Sequence, residues 1–197
     1  MNLPFLATRL SARARRVDER DVRAAVLVPI LPTHEDGLAL VLTRRAETLK
    51  THRGEVAFPG GRVEPGDTDL VATALREAHE EVNIQPSQVH LIGLLDDLPT
   101  ISGKTMVTPV VGLLTSTPAF EPQPEEVARI FSIPIDALRD GAGWRTEYHR
   151  HRGREWPIYF FDWDGETLWG LSAYITLQLL ALSELGGPIE LPAPYNR

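Results

Sequence analysis

The alternation of apolar and polar positions divides most of the chain into short elements. Val22 to Leu31 is apolar and rich in β-branched residues, and Pro32 closes it, which predicts a buried strand. Gly37 to Thr43 predicts a second strand, joined to the first through the turn residues His34-Glu35-Asp36-Gly37. A polar connection runs from Arg44 to Phe58, and Pro59-Gly60-Gly61 reads as a tight turn that breaks the chain. From Thr68 to Val82 the spacing is helical, with Val71, Leu75, Ala78 and Val82 on one stripe. Gln88 to Leu95 and Met106 to Leu114 predict further strands, Pro118 to Pro124 a loop and Pro134 to Arg139 a short helix. The aromatics of Trp156 to Phe161 mark another strand. Leu168, Leu171, Ile175, Leu179 and Leu182 mark a C-terminal helix stopped by Gly186-Gly187-Pro188. Strands and helices do not alternate with a steady rhythm. This favours an α+β fold, with a mixed sheet flanked by helices, over a doubly wound parallel sheet.

Composition narrows the class. The 197 residues suit one domain, and 43% apolar content is enough to build a core. A net charge of -7 argues against a nucleic-acid partner and against a basic membrane-surface protein. Without cysteine, disulfides, thiolate metal sites and a cysteine nucleophile are excluded, and any metal must be held by oxygen or histidine. Residues 1–16 carry Arg9, Arg13, Arg15 and Arg16 with no acid, a faint likeness to a transit peptide. A surface helix accounts for them better, so residues 1–21 read as a helical extension and residues 22–197 as a single domain. The uncharged stretch Thr167 to Ser183 is too short to span a bilayer, for which about 20 residues are needed, and reads as a buried helix. The expected compartment is the cytoplasm.

The chemistry concentrates in Arg76-Glu77-Ala78-His79-Glu80-Glu81. On a helix, Glu77, Glu80 and Glu81 share one face, away from the apolar stripe. Like charges at these spacings repel by a few tenths of a kcal/mol per pair when exposed. A hard divalent cation turns the repulsion into binding, and Mg²⁺ suits a carboxylate cluster that leaves room for its waters. Taken alone, the three glutamates also fit a solvated acidic helix face. The preceding Phe58-Pro59-Gly60-Gly61 adds backbone that can approach a ligand closely, because glycine has no Cβ.

Together, Gly61 and the run Arg76-Glu77-Ala78-His79-Glu80-Glu81-Val82-Asn83-Ile84 resemble the Nudix box of the Nudix hydrolases. The interval from Gly61 to Arg76 is one residue longer than in the general box. Thr68 stands where the first glutamate falls, with Asp67 and Asp69 as alternative acids. Asn83 replaces a glycine at the helix end, where a left-handed conformation also suits asparagine. Upstream, Val41-Leu42-Thr43-Arg44-Arg45-Ala46, Lys50, Gly54 and Phe58-Pro59-Gly60-Gly61 resemble an additional motif of the coenzyme A pyrophosphatase branch of that family. Glu125-Glu126-Val127 and Trp169-Gly170-Leu171-Ser172-Ala173 fit the same branch, with Lys50 in place of arginine and Ser172 in place of threonine.

The resemblance implies an α/β/α sandwich and hydrolysis of the pyrophosphate bond of coenzyme A or a derivative, giving adenosine 3′,5′-bisphosphate and phosphopantetheine. It implies Mg²⁺ or Mn²⁺ on Glu77, Glu80 and Glu81, with a backbone carbonyl of Gly60 or Gly61 as a further ligand. Glu80 and Glu126 are the candidate bases, and Arg76 is expected to orient a glutamate. Arg45, Lys50, His52 and Arg53, with Gly60 and Gly61, are the candidate substrate contacts. The basic run Arg145 to Arg154, with His149 and His151, reads rather as a solvated loop. The expected partner is therefore a small nucleotide, with no nucleic acid and no membrane, and the oligomeric state stays open. Two rivals remain: a hydrolase of another nucleoside diphosphate derivative such as ADP-ribose, and a silent nucleotide sensor.

Overall fold

A computed structural model describes residues 1–18, 22–34, 37–100, 102–151 and 154–183. Its centre is β1 (Arg23–Pro32), which pairs in parallel with β7 (Met106–Leu114) and antiparallel with β2 (Leu38–Arg45). Outward from β2 lie β3 (Val56–Ala57) and β8 (Val127–Pro134), and outward from β7 lie β5 (Val89–Leu94) and β6 (Leu98–Pro99). A short β4 (Gly60–Arg62) pairs with the start of β1. The sheet is thus mixed, as the irregular order of elements predicts.

Residues of opposite parity on the central strands feed opposite layers. Ala25, Leu27 and Val41 pack under α2 (Leu70–Val82) with Ala74, Ala78 and Val82. Val28, Ile30, Leu40 and Leu42 face a second core with α1 (Leu3–Ala12), α3 (Ile135–Arg139) and α4 (Gly170–Leu182). A three-stranded sheet covers this side: β9 (Trp144–His151), β10 (Arg154–Trp163) and β11 (Glu166–Trp169). Helix layers on both faces make the α/β/α sandwich. Among the described residues no helix is long and apolar enough to cross a membrane.

Three expectations are corrected. Pro59-Gly60-Gly61 is not a turn, because Gly60 and Gly61 are extended and pair with Val26 and Ala25. The described residues of the run Arg145 to Arg154 do not form a loop. Arg145 to His151 belong to β9 and Arg154 opens β10, because aromatic partners reward the pairing: Trp144 packs on Phe161 at 5.1 Å and Arg145 lies over Phe160 at 4.5 Å. Leu168 belongs to β11 rather than to the last helix, which starts at the left-handed Gly170 (φ 61°). The expected N-terminal surface helix is present as α1, anchored by the buried Leu6 and Leu10. β8 carries no clean alternation of exposure, so no periodic signal along the chain marks it. Glu35, Asp36 and Gly186-Gly187-Pro188 lie outside the described residues.

Ion pairs tie the segment after α1 to the sheet. The buried Asp97 carboxylate accepts from Arg15 at 2.5 Å, from Arg23 at 2.8 Å and from the Thr108 hydroxyl at 2.5 Å. Asp96 accepts from Arg13 at 2.6 Å. A buried carboxylate without such donors is strongly disfavoured, so each arginine depends on the shared acid. We expect Asp97→Asn to destabilise the protein by about 2 kcal/mol or more, read as a lower urea midpoint with unchanged slope.

Candidate active site

Helix α2 begins where Asp69 accepts from the backbone N–H of Ala72 at 2.8 Å. It ends at Asn83, which is left-handed (φ 58°) and whose amide donates to the Ala119 carbonyl at 3.0 Å. Asparagine serves here because the position needs a positive φ. The two alternative acids before the helix therefore have separate uses. Asp69 caps, and Asp67 receives both Nε and Nη2 of Arg76, at 2.9 and 3.0 Å. Asp67 also accepts from the Glu64 N–H and the Thr73 hydroxyl, both at 2.9 Å. Arg76 holds Asp67 well below the usual carboxylate range, and Asp67 in turn raises Arg76 further. Thr68 is exposed and stands outside this cluster.

From the same guanidinium, Nη1 donates to Glu77 and to Glu80, each at 3.0 Å, and Nη2 to the Arg62 carbonyl at 3.0 Å. One arginine thus fixes the loop, the helix and two glutamates. Fork geometry makes this possible, and lysine could not reproduce it.

Glu81 is the most buried acid of the helix, at 4% exposure. Its carboxylate accepts from the Gly60 N–H at 3.1 Å, and Arg45 lies 3.8 Å away. Burial nonetheless pushes Glu81 up to about 7, against the opposing influence of Gly60 and Arg45. Burial likewise raises Glu77, against Arg76. The charge of Glu126 raises both, so the loop before β8 brings a further carboxylate to the same region. That loop is docked on the helix end, where the Gln123 N–H donates to the Glu81 carbonyl at 2.9 Å.

The glycines are needed for space. A Cβ at Gly60 would lie 2.4 Å from the Ala25 carbonyl oxygen, and one at Gly61 would lie 2.3 Å from Glu77 Oε1. At Gly60 the obstacle is backbone and leaves no room, whereas a side chain at Gly61 would push the Glu77 carboxylate aside, so glycine at both positions lets β4 lie between β1 and undisturbed carboxylates.

The sequence-predicted residues therefore separate. Glu77, Glu81, Gly60, Gly61, Arg76 and Arg45 converge at α2. Glu80 joins through Arg76 but its side chain is 55% exposed. His52 instead contacts Glu55 at 2.9 Å, and Lys50 and Arg53 are exposed on the loop beyond β2. Among the described residues no three acidic or histidine side chains close on one point as a finished metal cage. The donor set still fits a hard divalent cation. Glu77 and Glu81 are carboxylates whose burial and mutual repulsion leave them short of positive charge, and Mg²⁺ uses one or two carboxylates with waters and substrate oxygens. Sequence reasoning missed Asp97 and Glu166, which carried no motif signal.

Residues 21–166 match the NUDIX domain, and the chain belongs to the Nudix family. It is 41% identical over 165 residues to an uncharacterized Nudix hydrolase, NudL, of Photorhabdus laumondii, covering 84% of this chain and 87% of that one. A NudL of Yersinia enterocolitica is 44% identical over 157 residues, covering 79% and 78%. In fold, the chain is similar to a MutT/nudix family protein of Enterococcus faecalis, with a TM-score of 0.50, 14% identity and coverage of 86% of this chain and 58% of that one. The protein is a hydrolase acting on pyrophosphate bonds.

Gly61→Ala is expected to displace Glu77 and lower pyrophosphatase activity at least tenfold with the fold kept, checked by steady-state rates beside circular dichroism. A second expectation concerns pH. The fold raises Glu81 above its ordinary value near 4.5 to about 7, so it favours the protonated form. That contribution to stability is present below about 4.5 and is lost as pH rises through about 7. Metal-free protein should therefore lose stability on the order of 2 kcal/mol between pH 5 and pH 8. Glu81→Gln should remove most of that loss, as read by urea unfolding at each pH.

Proposed function

We propose that the protein hydrolyses the pyrophosphate bond of coenzyme A or a derivative, releasing adenosine 3′,5′-bisphosphate and the phosphopantetheine part. The observation that carries this reading is the 3.8 Å approach of Arg45 to Glu81. Arg45 belongs to the upstream motif that resembles the coenzyme A branch, and Glu81 belongs to the box helix. The two motifs therefore meet in one site. The Arg45 side chain is partly exposed beside Glu81, so its guanidinium can offer an Nη donor to a phosphate oxygen.

In this reading Glu77 and Glu81 would hold the cation, with Glu80 and a backbone carbonyl of Gly60 or Gly61 as further candidate ligands. The chemistry supplied by bound Mg²⁺ or Mn²⁺ is charge neutralisation at the pyrophosphate and a lowered pKa for the attacking water. Arg76 presents Glu77 and Glu80 in fixed positions by its hydrogen bonds. Glu126 takes the proton from the water. Its exposed carboxylate makes no ion pair among the described residues, whereas Glu80 is already engaged by Arg76. Arg45 steadies the pyrophosphate, and Lys50, exposed on the loop beyond β2, is a further candidate contact for phosphate oxygens.

Product analysis tests the reading. Pure protein with coenzyme A and Mg²⁺ should yield adenosine 3′,5′-bisphosphate and phosphopantetheine, and Glu81→Gln should abolish both. Cleavage of ADP-ribose alone, with coenzyme A untouched, would refute the choice of substrate.

A further inference from the structure

The small sheet ends in a strand whose outer edge no other strand covers among the described residues. β9 pairs with β10 alone, and the ladder runs from Trp144 to His151 without a shift of register. The strand contains no proline, glycine or lysine. Exposed strand edges are normally blunted by a bulge, a proline or charge, because their free backbone groups pair with any strand that meets them. The other long strands with a single partner strand follow that rule. The β5–β7 ladder shifts register between Leu91 and Gly93. The β2–β8 ladder shifts between Arg44 and Arg45, and Pro134 closes β8. β9 has only its charges.

The order of those charges fits a second copy of the same strand. Every side chain from Arg145 to Arg150 is exposed, and Tyr148 reaches 70%. Successive side chains alternate between the two faces of the strand. Trp144, Thr146 and Tyr148 share the face on which Trp144 packs against Phe161, and Arg145, Glu147 and His149 share the other. Two β9 strands laid antiparallel about a two-fold axis through Thr146 bring Arg145 opposite the second copy's Glu147, twice. The same register brings Trp144 opposite the second copy's Tyr148, twice. Opposite charges and aromatic rings at opposed positions are the contacts that stabilise strand pairs. Moving the axis by one residue sets Glu147, or Arg145, against its own copy, and like charges directly opposed are destabilising. Within one copy Arg145 meets Asp162 at 2.8 Å and Glu147 at 3.6 Å. These are exposed pairs that hold their side chains weakly, so both groups can turn to a partner.

We propose that a second copy of this chain docks on β9, edge to edge about Thr146, so that two three-stranded sheets become one sheet of six strands. The surface uses the charged run that the hydrolytic reading leaves without a role, and it uses no residue of the carboxylate helix. The proposal therefore stands apart from the choice of substrate.

Sedimentation velocity of the full chain tests it, over concentrations from about 1 μM to about 1 mM, the span of weak to moderate self-association. Wild type should pass from monomer to dimer as concentration rises. Arg145→Glu and Glu147→Arg should each weaken the dimer by about tenfold or more, because each opposes like charges twice. The double variant restores opposite charges and should return to within about threefold of wild type, which a merely misfolded strand would not do. The chain has no cysteine, so single-cysteine variants read the register directly. Directly opposed residues lie about 4.5–5.5 Å apart at Cα, within reach of a disulfide. Thr146→Cys should therefore form a covalent dimer on mild oxidation. Tyr148→Cys should not, because the axis sets it about 13 Å along the strand from its own copy. A wild type that stays monomeric throughout would overturn the proposal. So would a dimer indifferent to the charge reversals, a double variant no better than the single ones, or a covalent dimer through Tyr148→Cys rather than Thr146→Cys.

Discussion

Carboxylates taken out of water lose hydration, and when they are crowded together they also repel. Helix α2 does both to Glu77 and Glu81, with Glu126 adding its charge from the next loop. The rest of the site is organised around this cost. Arg76 offsets part of it by reaching Asp67, Glu77 and Glu80 with one guanidinium. The Gly60 N–H and Arg45 offset part at Glu81. What remains uncompensated is negative charge, which a divalent cation would offset and which a site fully neutralised by arginine would lack.

That arrangement depends on a backbone approach that side chains would forbid. β4 lies between β1 and the glutamates, with Gly60 against the Ala25 carbonyl and Gly61 against Glu77. The central sheet supplies the rigid edge. β1 is held on both sides, by β2 and by β7, and its odd-numbered residues pack under α2. The same strand order carries Arg44 and Arg45 to opposite faces at the end of β2.

The periodic elements were legible along the chain because their apolar faces are continuous. Met106 to Leu114 matches β7, and the strand at Val22 to Leu31 is displaced by only one residue. The helix at Thr68 to Val82 starts two residues later, because Asp69 caps it. Elements whose stabilisation comes from partners were harder to see. β9 is rich in arginine and histidine and gains its pairing from β10. Gly60 and Gly61 signal a turn to local rules, yet here their small size permits an extended strand to pack closely.

The sequence by itself determined the fold class, the carboxylate helix with its glycine pair, and the family to which the motif points. These depend on local spacing, which the chain carries at every position. Only the tertiary structure decided that Asp67 rather than Asp69 faces Arg76, that His52 turns to Glu55, and that Arg45 and Arg53 lie in separate regions. Each of these depends on which distant groups share a few ångströms, and hydrogen bonds and ion pairs act only at that range.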